Sequence, residues 1–167
     1  MNEPASEPVI RPAASADVAT ILRFVRDLAA FEREPDAVEA TEAMLAKALF
    51  GAAPAAEAVI AEDDSGPLGF ALFFHNFSTW TGRRGLYLED LYVTPEARGK
   101  GVGTALLRHL AAIAVARDCA RFEWSVLDWN ADAIAFYRQM GAIGLEEWTV
   151  QRVSGDALLQ LAGRRSV

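Results

Sequence analysis

One cysteine, two histidines and a shortage of base set the first limits on this chain of 167 residues. Cys119 alone cannot close an internal disulfide, and neither histidine stands at a zinc-ligand spacing from it, so a disulfide scaffold is excluded and no metal is expected. Nowhere do about 18 uncharged apolar residues run together, and Met1 to Pro12 carries acids and prolines where a secretory leader would be basic and then apolar. A soluble, cytoplasmic protein is expected. Lys and Arg number 16 against 23 Asp and Glu, a formal net charge of −7. That leaves no basic stripe to neutralise phosphates, so neither a nucleic acid nor an anionic membrane is expected as a partner. A cationic substrate would suit the balance, although acidity that only maintains solubility is the commoner reason for it. Internal repeats, low-complexity linkers and charge blocks are also absent. The length suits one well-formed core and is short for two, so residues 1–8 are read as a flexible N-terminus and 9–167 as a single domain.

Hydrophobic residues make up 52% of the chain, and they recur with clear periods. Val9 to Arg11 reads as a short strand. Ser15 is placed to cap an amphipathic helix whose apolar positions, Val18, Ile21, Leu22, Val25, Leu28 and Ala29, recur at three and four residues. Thr41 caps a second helix through Phe50, which Gly51 closes in a left-handed conformation. Ala58 to Ala61 and Leu68 to Phe77 are strands around the turn Asp63-Asp64-Ser65-Gly66. Gly82 to Gly85 is read as a turn before the strand Leu86 to Val93, which Thr94-Pro95 halts. A helix follows from Gly101 to about Arg117, then β-rich Arg121 to Leu127, a helix from Ala131 to Met140, a strand from Trp148 to Val153 and a short helix capped by Ser154. This order predicts an α/β fold, a mixed sheet with helices on both faces.

Arg98-Gly99-Lys100-Gly101-Val102-Gly103-Thr104 lies between a strand and a helix, where unpaired N–H groups and the helix dipole favour an anion. A P-loop needs Gly-Lys before Ser or Thr, yet Lys100 precedes Gly101. A dinucleotide fingerprint needs a third glycine where Leu106 stands. Both fail on spacing. The pattern Arg98, Gly101, Gly103 after Val-Thr-Pro fits R-x-x-G-x-G, and Trp129-Asn130, Ala133, Phe136-Tyr137 and Gly141-Ala142 fit W-N-x-x-A-x-x-F-Y-x-x-x-G-A. With Leu28 to Glu32 and Leu86 to Asp90 in order, the chain resembles the GNAT superfamily of acyl-CoA-dependent N-acetyltransferases over about residues 9 to 162. Within it the chain is most similar to the diamine, or spermidine/spermine, acetyltransferase group, which is also linked to thialysine acetylation. His75 to Thr79 and the loop before Trp148 depart from that group's pattern.

The resemblance implies a GNAT fold with a splayed, bulged strand, acetyl-CoA as co-substrate, a small cationic amine as acceptor and a homodimer. It implies that Arg98, Gly99, Lys100, Gly101, Val102, Gly103 and Thr104 hold the coenzyme's pyrophosphate, and that Asn130 and Ala133 take part in coenzyme binding. Backbone N–H groups around Leu91, Tyr92 and Val93 would meet the acetyl carbonyl and pantetheine.

Glu89 and Asp90 are adjacent on a strand whose other residues are mostly apolar, and in regular geometry they would point to opposite faces. A bulge would aim both toward one cleft. Glu89 would then face the amine. An alkylammonium of pKa about 10.4 lies about 6 units above an ordinary Glu, so direct proton transfer is uphill by roughly 8 kcal/mol. Glu89 is therefore assigned to holding the cation and relaying its proton to water; a salt-bridged structural carboxylate is the alternative. Tyr137, a phenol of pKa about 10, suits a general acid toward a departing thiolate of pKa about 8.5, or else belongs with Phe136 to an aromatic core pair. Phe31, Glu32, Asp90, Glu147 and Trp148 are candidate substrate contacts, with surface solvation the simpler account of Glu32. Trp80 is a further candidate for the amine channel, and Trp80 and Trp148 could equally be core or dimer residues.

Overall fold

The computed structural model describes residues 8–164. The expected flexible segment 1–8 lies outside the described residues except for Pro8, as do the last three residues of the expected domain. Five strands and five α-helices follow in the order β1 (Val9–Pro12), α1 (Val18–Phe31), α2 (Glu42–Phe50), β2 (Glu57–Asp63), β3 (Gly66–Ser78), β4 (Arg83–Val93), α3 (Val102–Ala116), β5 (Arg121–Trp124), α4 (Ala131–Gln139) and α5 (Gly155–Leu161). The chain forms two compact units, one through Leu127 and one from Asp128 onward.

The first unit holds the sheet, whose spatial order is the chain order, β1-β2-β3-β4-β5. Every pair is antiparallel except β4 with β5, which are parallel and joined through α3. This is the expected mixed sheet. Side chains alternate along each strand, so Ala58, Ile60, Phe70 and Tyr92 share one face and pack with Ile21 and Phe24 of α1 and Leu49 of α2. The opposite phase, Val59, Ala61, Ala71, Phe73, Leu86 and Leu88, is also buried, and α3 lies against the strands with a buried stripe of Val102, Leu106, Leu107, Leu110 and Ala114. Both faces are therefore covered by helices.

Several local expectations change. Ser15 does not cap α1. Residues Ser15–Asp17 form a 3₁₀ turn, and the Asp17 carboxylate accepts the Ala14 N–H at 2.7 Å while Arg11 bridges it to Glu62. Gly51 is extended, with φ −72° and ψ 179°, so its need for glycine is steric: a Cβ there would run into the Lys47 carbonyl. Thr41 does cap α2, its hydroxyl accepting from Met44 N at 3.2 Å. The turn between β3 and β4 is residues 79–82, and Gly85 lies inside β4 opposite Asn76.

In the second unit α4 begins at Asn130, whose Oδ1 accepts from Ala133 N at 3.2 Å. Ser154 precedes α5 as expected, but its side chain makes no cap bond. The strand expected over Trp148 to Val153 is absent among the described residues. Alternating apolar residues supply propensity only, and a strand also needs a ladder partner; among the described residues this unit has no other strand to offer one.

Candidate active site

The adjacent carboxylates sit on a bulge. Leu72 of β3 pairs with Asp90, but the next residue, Phe73, pairs with Leu88, so Glu89 is the extra residue. Directly opposed residues share a face, and Leu72 packs against the α1-side core, so Asp90 is turned to that side while Glu89 is exposed. A half-buried charge results. The Asp90 carboxyl is pushed up to about 6, first by burial, then by the negative charges of Glu89 and Glu32. Glu32 caps the end of α1 and is itself raised by partial burial. Three of the residues expected at the amine are thus brought within electrostatic reach of one another.

Among the described residues, the other edge of β4 has no strand partner where these acids lie. Pairing with β5 ends at Leu88↔Trp124, yet β4 continues to Val93. The Thr94 N–H turns toward β3, donating to Leu68 O at 2.8 Å. Successive residues alternate the side to which their N–H and C=O point, so those of Leu91 and Val93 face the open edge and those of Tyr92 face β3. Arg98 confirms the direction: its Nε donates to Val93 O at 3.1 Å. Just before the pairing stops, the Tyr87 hydroxyl and Ser125 Oγ are 2.8 Å apart and join β4 to the end of β5. Neither residue stood out as a site candidate in the sequence, because the contact joins positions 38 apart and no local spacing announces it.

The glycine-rich turn has the form an anion requires. Gly99 and Gly101 adopt positive φ of 73° and 83°, a conformation that costs other residues about 1 kcal/mol or more. Gly101 caps α3, and the first helical bond runs from Ala105 N to Gly101 O at 2.9 Å. The N–H groups of Val102, Gly103 and Thr104 therefore precede the helix ladder and carry the positive end of its dipole. Arg98, Gly99 and Lys100 are exposed at its mouth, and Val102 is buried beneath it. Arg98 also lies over two rings, with its guanidinium carbon 5.3 Å from the Phe31 centroid and 5.8 Å from that of Tyr92.

Within the second unit, Asn130 and Ala133 meet through the cap bond of α4. Tyr137 lies on the same helix, its ring 5.4 Å from that of Phe136. Glu147 and Trp148 belong to the irregular segment before α5, where Trp148 N donates to Leu145 O at 3.2 Å. Among the described residues no group of three or more His, Cys, Asp or Glu side chains could hold a metal ion, and no helix is long and apolar enough to cross a membrane.

Comparison with known proteins agrees with this geometry. Residues 22–142 match the family model described as the acetyltransferase (GNAT) family. The chain is 38% identical to the thialysine N-epsilon-acetyltransferase of Sus scrofa, over 93% of this chain and 98% of that protein. It is 37% identical to the human spermidine/spermine N(1)-acetyltransferase-like protein 1, over 92% of this chain and 23% of that longer protein. Among solved structures, an integron cassette protein from the mobile metagenome of V. cholerae superposes with a TM-score of 0.78 at 29% identity, over 95% of this chain and 99% of that one. A bulged β4 that parts from β5, followed by an Arg-Gly turn at a helix start, thus accompanies a family match over most of the sheet: the chain belongs to the acetyltransferase (GNAT) family.

Proposed function

We propose that the protein transfers the acetyl group of acetyl-CoA to a primary amine of a small polyamine or diamine, by direct attack and without a covalent enzyme intermediate. The observation that carries this reading is the half-buried Asp90 beside Glu89 and Glu32, at the stretch of β4 whose outer edge has no strand partner among the described residues. Three acids in one place attract a polycation and can hold more than one ammonium group. The residues fit the donor as well: the Arg98 to Thr104 turn offers N–H groups and a guanidinium to a pyrophosphate. Bound there, acetyl-CoA supplies an acyl group already activated as a thioester.

The chain's own groups have separable tasks. The N–H groups of Leu91 and Val93 are fixed in a strand and are free to donate to a carbonyl oxygen, polarising it without reorganisation. Glu89, exposed, holds the incoming cation. Asp90 is the better proton acceptor, because a carboxyl titrating at about 6 lies closer to an alkylammonium than an ordinary one does. The uphill step falls from roughly 8 to roughly 6 kcal/mol, which still favours relay through water. Tyr137 is assigned to donate to the departing thiolate; Asn130 and Ala133 are assigned to the coenzyme, and Glu147 and Trp148 to the amine. The reading carries with it a cytoplasmic homodimer that needs no metal.

A second reading has its own support. Proteins named thialysine N-epsilon-acetyltransferase match nearly their full length here, so the amine of thialysine is the rival acceptor. Its α-carboxylate is what the three acids would oppose. A thiol-release assay across spermidine, a diamine, thialysine and a neutral monoamine decides between them. Release with none of the four would remove both acceptors and leave an amino acid or a protein N-terminus as the amine, with a non-catalytic acetyl-CoA binder the remaining alternative only if those fail as well.

A further inference from the structure

Phe31 closes α1 immediately before Glu32, which makes it look like a residue of the amine side. Its ring, however, faces Arg98 at 5.3 Å, and Arg98 is pinned on two further sides, by the Tyr92 ring at 5.8 Å and by the bond from Nε to Val93 O at 3.1 Å. An arginine on a loop has several freely rotating bonds, and ordering it at the moment of anion binding costs affinity. Here that ordering is already done. The Nε–carbonyl bond fixes the edge of the guanidinium that faces β4, and the two rings fix its plane. The terminal nitrogens remain, and among the described residues no carboxylate forms a salt bridge with them.

We propose that Phe31 is a positioning residue for the coenzyme rather than a contact of the amine: its ring pre-orders Arg98 for a pyrophosphate, and so ties the end of α1, with Glu32 on it, to the phosphate-binding turn. The inference rests on the acetyl-CoA reading above.

The test is a double-mutant cycle on acetyl-CoA affinity, read by calorimetry on folded protein, with the amine KM measured at saturating donor. Phe31→Leu is expected to weaken acetyl-CoA binding about five-fold, the scale of one exposed cation–π contact, while the amine KM changes less than two-fold. Phe31→Tyr, which keeps an aromatic face, should restore the affinity. In an Arg98→Gln background the Phe31→Leu penalty should vanish. Unchanged acetyl-CoA affinity in Phe31→Leu with a raised amine KM would return Phe31 to the amine side. A penalty that persists in full without Arg98 would show that it runs through packing and not through the guanidinium. Failure of the wild type to bind acetyl-CoA would instead overturn the coenzyme reading itself.

Discussion

Asp90 combines a functional gain with a cost in stability. Its carboxyl titrates at about 6 in the folded protein, against about 3.9 for a free aspartate, a difference that corresponds to at most about 3 kcal/mol. The folded state holds this proton more tightly than the unfolded one, so the Asp90 contribution to stability is most favourable below about pH 4, falls as pH rises toward 6, and is level above. Asp90→Asn removes the cost. The variant should melt several degrees higher than wild type at pH 8, with the gap closing near pH 4, and should lose amine kcat/KM together with the acid limb of the rate profile near pH 6. Scanning calorimetry and a pH–rate profile measure the two halves separately. Equal melting temperatures at pH 8 would mean that Asp90 is well solvated. Tyr137→Phe should lower kcat about 10²-fold or more and leave acetyl-CoA affinity nearly intact, because it removes a proton used only as the thiolate leaves. A kcat within a few-fold of wild type would restore Tyr137 to an aromatic pair with Phe136.

At the level of elements, the Arg11 clamp decides how β1 is held to α1 and β2. The guanidinium donates to both Asp17 oxygens and both Glu62 oxygens at 2.7–3.0 Å, and Arg11 holds the Asp17 carboxyl below its usual range. A depressed acid stabilises the fold above its unfolded pKa and loses that contribution as pH falls through the folded one. Arg11→Met should therefore cost about 2 kcal/mol at pH 7, allowing for partial exposure of the pair, and much less near pH 2. Urea denaturation at the two values measures it. In the glycine-rich turn proposed to hold the coenzyme, Gly103→Val should weaken acetyl-CoA by tenfold or more with the fold intact, since a side chain would crowd N–H groups that precede the helix ladder.

The same elements show what could be read in advance. The amphipathic period of α1, the cap of α2 by Thr41, the Asp63 to Gly66 hairpin and the Arg-Gly turn were all legible, because each depends on residues within one or two turns of each other. The strand at Trp148 to Val153 was not, since a strand exists only with a partner that local pattern cannot supply. Ser15 has the residue type of a cap, but the turn before α1 is held instead by Asp17, which accepts from the Ala14 N–H and pairs with Arg11 reaching across from β1. The bulge was expected from the resemblance. Which carboxylate it would bury was not legible: a one-residue slip in the pairing exchanges the faces of Glu89 and Asp90.

For the whole molecule, charge is the variable to test. A net −7 with three acids at the proposed amine site predicts that spermidine outcompetes a neutral monoamine at low ionic strength, and that the advantage shrinks as salt screens the field. Activity should rise toward alkaline pH as more amine is free base. Glu32→Gln should impair only long polyamines, whose distal ammonium it would reach. A preference for thialysine at every salt concentration, with Glu32→Gln silent, would leave the acetyltransferase and remove the polyamine. Light scattering of the purified protein checks the dimer.

The strand order has a consequence for how the molecule is made. Because β1 to β5 stand in the sheet in the order of the chain, no strand must be inserted between two others already paired. Each one emerging from the ribosome adds to the current edge, and a nascent chain never has to reopen what it has built. The slow event is the crossover through α3 that returns β5 to lie parallel to β4, since its loop must close before any contact rewards it. The gap between β4 and β5, where chemistry is proposed, is therefore the last feature of the sheet to form. Pulse-labelled hydrogen exchange during refolding should protect the β2–β3–β4 amides before those of β5, and catalytic competence should appear only with the second phase.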